Sequence, residues 1–159
     1  MFRIAVLLSL LLADVALAQS ATTLGNDNEL LAAGADALAA GRQDEGIRLT
    51  LAGLDRPNNP DDEAAARSNL CAGFAALKRW SDALPHCNRS LELDRRNWHG
   101  FNNRAAVFVG LGFYELAVAD VNAGLALDPD SQTLRRSLEI VHEHRKAALR
   151  DRRKRPTST

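Results

Sequence analysis

The chain has 159 residues, 46% hydrophobic and 25% charged, with 20 basic residues balancing 20 acidic ones. That length fits one domain with enough apolar material for a core, which excludes an intrinsically disordered chain. Aromatics are only 5% while alanine, leucine and arginine dominate, so the composition favours helices over sheets.

Residues 1–18 read as a signal peptide. "MFR" gives a positive start, Ile4 to Ala13 an apolar run, and Ala16 to Ala18 a small-residue end suited to cleavage before Gln19. A retained membrane helix needs about 20 apolar residues, and Asp14 interrupts the run too early. The expected mature chain is periplasmic or secreted, with no transmembrane segment. Its charge is unevenly placed: residues 19–66 hold nine acidic and three basic side chains, and residues 131–159 hold three acidic and nine basic.

From Asn69 onward the chain repeats with a 34-residue period. Asn69/Asn103, Ala72/Ala106, Phe74/Phe108, Leu77/Leu111, Ala83/Ala117, Asn88/Asn122, Leu91/Leu125, Leu93/Leu127 and Asp94/Asp128 are identical pairs. A period of that length marks stacked helical hairpins. Small residues recur in steps of 12 and 7 at Cys71, Ala83, Ser90 and at Ala105, Ala117, Gly124, and again upstream at Gly34, Gly46, Gly53. Helices that cross closely admit only small side chains at the contact, so three units share one design. Gly112 and Lys78-Arg79 mark turns between paired helices.

Between the first two units lies "DRPNNPDDE" (Asp55 to Glu63), a longer turn in which Asp61 and Asp62 are expected to cap the next helix and oppose its dipole. Pro85 is compatible with a helix if Ser81 is the N-cap, because it then ends the first turn. Beyond Pro129, Leu134, Leu138 and Val141 form one stripe of a capping helix over residues 132–150, followed by a basic disordered tail over 151–159.

These units resemble tetratricopeptide repeats: the period, the small-residue triplet, the aromatics Phe74 and Phe108, Trp80 or Tyr114 after the turn, and the "LALDP" ending (Leu125 to Pro129). The resemblance runs from about Glu29 to Ser131, with the second and third units strong and the first degenerate. It implies an all-α solenoid of three hairpins over residues 19–131 plus the capping helix.

The resemblance also implies a concave groove lined by the first helix of each hairpin. By register its residues are Asn28, Leu31, Ala35 and Leu38, then Ala65, Ser68, Ala72 and Ala75, then His99, Asn102, Ala106 and Val109, with Arg136 and Ile140 extending it. Some family members clamp a C-terminal carboxylate with lysine, asparagine and arginine. Here Asn69 matches one such place, whereas Leu31, Ala35, His99 and Asn103 do not supply the rest. Asn69 and Asn103 are expected to hydrogen-bond between helices, and Arg104 to pair with Asp120 across its hairpin.

Cys71 and Cys87 sit at one level on the two helices of one hairpin. A disulfide and two separately packed thiols both fit the sequence, and an oxidising compartment favours the disulfide. No nucleophile elbow, phosphate loop or dinucleotide fingerprint is present, and "HEHRK" (His142 to Lys146) fails the zinc pattern because Lys146 stands where a second histidine is required. His142 and His144, two apart, diverge on a helix and are expected to face solvent. The chain is therefore read as no enzyme, with no metal and no cofactor, and as an exported scaffold binding a protein, peptide or partner helix in the groove. The alternative is an accessory subunit or anchor held electrostatically to an anionic envelope component through its basic C-terminal helix. The tail lacks interleaved aromatics, so nucleic acid is the weakest partner reading.

Overall fold

The computed structural model describes residues 28–56 and 59–154; the expected signal peptide and residues 155–159 lie outside them. The described residues are all-α: α1 (Glu29–Ala39), α2 (Gln43–Leu54), α3 (Pro60–Ala76), α4 (Trp80–Leu93), α5 (Trp98–Leu111), α6 (Tyr114–Leu127) and α7 (Gln132–Lys154). They pair as hairpins α1/α2, α3/α4 and α5/α6, and the first helix of each later hairpin packs on both helices of the one before. α7 continues the stack against α6 and α5. It runs to Lys154, so residues 151–154 are helical rather than part of a tail.

One turn closes all three hairpins. Gly41, Lys78 and Gly112 each take left-handed backbone, with φ of 75°, 59° and 80°. The next residue's N–H then reaches back five positions, from Arg42 to Ala37 O, Arg79 to Phe74 O and Phe113 to Phe108 O, at 2.8 to 2.9 Å. This Schellman closure satisfies carbonyls at the end of the first helix and starts the second immediately. It moves the start of α4 to Trp80, with Arg79 as the N-cap in place of the expected Ser81. Pro85 consequently lies in the second turn of α4, and the carbonyl of exposed Ser81 is left without a helical N–H donor.

Asparagine begins the first helix of every hairpin. Oδ1 of Asn28, Asn59 and Asn97 accepts from the N–H of Leu31, Asp62 and Gly100. The cap of α3 is thus Asn59, not Asp61 or Asp62; Pro60 occupies N1, and the acids fall inside the first turn. There they still face the positive end of the helix dipole, and Asp62 Oδ2 accepts from Asn59 Nδ2 at 2.7 Å.

The small-residue triplets mark the helix crossings. A methyl group on Gly34 would stand 2.9 Å from Thr50 N and 3.1 Å from Gly46 O, and one on Gly46 would stand 2.8 Å from Leu38 N. Ser90 uses its place differently, donating through Oγ to Ala64 O at 2.9 Å. Around these contacts Leu38, Ile47, Leu70, Phe74, Ala83 and Val107 form one core, and Ala105, Val109, Ala117, Val121, Leu134 and Val141 a second beneath α7.

Candidate concave groove

The first helices α1, α3 and α5 lie in succession, and on α3 and α5 the register positions meet as expected. Ala72 and Ala106 adjoin, with Ile140 of α7 packed over both. Asn103 Nδ2 donates to Ser68 Oγ at 3.2 Å, joining α3 to α5. Ala65, Ser68, Ala72, Ala75, Asn102, Ala106 and Val109 are all buried, so this floor is a packed surface. Asn102 retains only 2% exposure, and its Oδ1 is buried without a hydrogen-bond partner.

The first unit departs from the expected lining. Asn28 is the N-cap of α1, and its Nδ2 donates to Gly53 O at 2.8 Å. Leu31 fills the space beside Gly53, and Leu38 lies against Gly46 and Gly73. The cause is the glycine triplet: without side chains on α2 at the crossings, leucines of α1 turn inward and join the interior. Ala35 remains partly exposed.

In the first turn of α5, His99 is half-buried and stacks on Trp98 with ring centroids 3.6 Å apart. Burial lowers its pKa, a shift that Asp128 partly opposes. His99 Nδ1 and His144 Nε2 are both buried without hydrogen-bond partners. His144 was expected to face solvent. It lies one turn beyond Ile140 on the same helix face, so α7 carries it against the body, and burial lowers its pKa. His142 and Arg136 are exposed, and Ile140 is partly buried.

Two covalent and ionic ties flank the groove. Cys71 and Cys87 form a disulfide between α3 and α4, their Cα atoms 4.9 Å apart. Arg104 of α5 donates from Nε and Nη2 to both carboxylate oxygens of Asp120, each at 2.8 Å, and from Nη1 to Asn88 Oδ1 at 3.0 Å. The Asp120 pair follows from the hairpin register. The reach to Asn88 on α4 ties the second and third hairpins, and nothing in the local pattern announced it.

No protein-family model matches the chain. It is 35% identical over 91 residues to the Hsp70-Hsp90 organizing protein of Triticum aestivum, a match covering 57% of this chain and 15% of that protein. The chain thus spans a small part of that relative's length. The first tetratricopeptide domain of human RPAP3 superposes with a TM-score of 0.67 at 24% identity, covering 76% of this chain and 93% of that one. The first such domain of Spaghetti (RPAP3), bound to the HSP90 peptide SRMEEVD, superposes at 0.66 with 23% identity, covering 77% and 96%. The chain has the fold of a tetratricopeptide-repeat domain: helical hairpins stacked into a solenoid and closed by a long final helix.

Proposed function

We propose that the chain is an exported, non-enzymatic protein-interaction scaffold whose concave face takes an extended peptide or a partner helix. The observation that carries this reading is Ile140 seated on Ala72 and Ala106. The chain's own helix already lies against these small floor residues, which let helices approach closely. The peptide-bound RPAP3 domain supports the same mode of recognition. The partner differs from an acidic chaperone tail. Of the clamp positions only Asn69 matches the family pattern, Leu31 is turned into the hairpin interior, and Asn103 is engaged with Ser68.

A photo-crosslinking residue at His99, which the repeat register assigns to the groove lining, is expected to capture a protein partner in cells. The same residue at exposed Leu127, at the end of a second helix, is not. Equal capture at both positions, or capture at 127 alone, overturns the groove reading. Export rests on the charged, apolar and small-residue order of residues 1–18. N-terminal sequencing of the native protein is expected to begin at or near Gln19, and an intact Met1 on cytosolic protein contradicts it.

A further inference from the structure

Among the described residues five large hydrophobic side chains are exposed: Leu51, Phe113, Leu116, Leu127 and Leu149. Three of them converge. Phe113 and Leu116, from the turn into α6, and Leu149, near the end of α7, line one open cavity of about 350 Å³ that shares no lining residue with the groove floor. Its shape follows from helix length. α7 has 23 residues and α6 has 14. At about 1.5 Å rise per residue, α7 overhangs its partner by about 13 Å. The cavity is the angle between that overhang and the hairpin tip.

Hairpin closure explains part of this patch. Phe113 follows left-handed Gly112, and its ring meets Phe108 edge-on with centroids 6.5 Å apart, the hydrophobic contact that accompanies a Schellman turn. Phe113 nevertheless stays 52% exposed, and Leu116 and Leu149, at 51% and 52%, have no part in the turn. A cluster of exposed apolar side chains in a concave setting marks an interaction site more often than scattered ones do.

The rim defines the chemistry. Arg145 and Arg152 border the cavity, and Arg150 and Arg153 stand with Leu149 on the adjoining face of α7. Arg145 Nη1 already holds a carboxylate, that of Glu115, at 3.1 Å, and the Glu115 side chain is 78% exposed. An exposed pair of this kind contributes about 0 to 1 kcal/mol, so another carboxylate can exchange with it.

We propose that this cavity is a second docking site, separate from the groove, for an acidic segment of a partner protein. That segment inserts one bulky apolar side chain against Phe113, Leu116 and Leu149, and sets a carboxylate on Arg145 in place of Glu115. The apolar floor gives the anchor and the arginines select for acidity, a division usual in protein interfaces. Glu115 acts as the chain's own competitor for the site.

The test is fluorescence anisotropy of a labelled synthetic peptide, one phenylalanine between runs of glutamate, titrated with the full mature chain. Saturable binding is expected, weakened about tenfold by Leu149→Asp or Arg152→Glu, and tightened about threefold by Glu115→Gln because the competitor is removed. Both weakening substitutions fall on the exposed overhang, and circular dichroism checks that the helices persist. Four results overturn the proposal: no binding of this peptide, equal binding when alanine replaces its phenylalanine or lysine its glutamates, unchanged or weaker binding in Glu115→Gln, and peptide binding unaffected by Leu149→Asp. Sedimentation and flotation controls separate the other occupants. Self-association lost in Leu149→Asp assigns the cavity to a second copy, and capture by phosphatidylglycerol vesicles without peptide binding assigns it to an anionic membrane; either refutes the proposal.

Discussion

Replacing Lys78 with glycine is expected to stabilise the protein, although it removes a side chain and adds no contact. Lys78 has φ 59°, whereas the same turn in the other two hairpins is made by Gly41 and Gly112. Holding an L-residue in left-handed backbone costs about 1–2 kcal/mol. Glycine there removes that cost but brings about 0.5–1 kcal/mol of extra unfolded-state entropy. The net gain is about 0.5–1 kcal/mol, or a rise in melting temperature of about 2–5 °C. Lys78→Ala retains the Cβ and gains nothing, which separates backbone strain from loss of the side chain. Gly112→Ala in the equivalent turn loses about 1 kcal/mol. Urea denaturation followed by circular dichroism reads all three variants. If Lys78→Gly lowers the midpoint, or Lys78→Ala raises it as much, left-handed strain is not what the second hairpin bears.

At the helix crossing, Ala83 is fully buried, and Ala83→Leu is expected to cost about 1–3 kcal/mol by forcing α3 and α4 apart, read as a lower urea midpoint. Reducing the disulfide opens a loop of about 15 residues and is expected to remove about 3 kcal/mol; alkylation of denatured, unreduced protein leaves Cys71 and Cys87 unlabelled, and labelling of both refutes the bond. His86, His99 and His144 have pKa values lowered by burial, with Arg67 adding to the effect at His86. The unfolded chain takes up protons below about pH 6.5 that the folded chain refuses, so stability is full above that pH and falls as pH drops through it toward each folded pKa. Urea midpoints between about pH 8 and about pH 5 follow this fall; a flat profile in that window contradicts it.

The period and the small-residue steps carried most of the architecture, because a repeated steric constraint writes itself into sequence at fixed spacing. Hairpin order, the crossings at Gly34, Ala83 and Gly124, and the Arg104–Asp120 pair all follow from that register. Helix starts were less legible. Asn59 and Asn97 are ordinary N-cap residues lying in turn-rich stretches, and Asp61 and Asp62 beside Asn59 are equally good caps by residue type. Lys78 hid a left-handed position that only comparison with Gly112 reveals. The groove was the least legible feature. Register places Asn102 on a first helix facing inward, but does not show that α7 closes over α3 and α5. Asn102→Arg, fold-neutral on an open groove, therefore places a charge in a site with 2% exposure and is disruptive. Leu31 and Leu38 turned inward because glycines opposite them left room, an effect of pairs of residues that no single position displays. Leu149 is far in sequence from Phe113 and Leu116, and only the length of α7 brings it to them.

The cross-ties are distributed unequally along the solenoid, and this sets the order in which it opens. Arg104 couples α4, α5 and α6 through Asn88 and Asp120, and the disulfide locks α3 to α4. The α1/α2 hairpin has neither tie and carries glycine at all three of its crossings. In a quasi-linear stack, where each unit is held only by its neighbours, such an end unit detaches without unfolding the rest. Amide hydrogens of α1 and α2 accordingly exchange first, while those of α3 to α6 exchange only with global unfolding. Opening of the first hairpin would uncover the faces of Leu70 and Phe74 that Leu38 and Ile47 now cover, so the stack is expected to expose apolar surface at this end before any other.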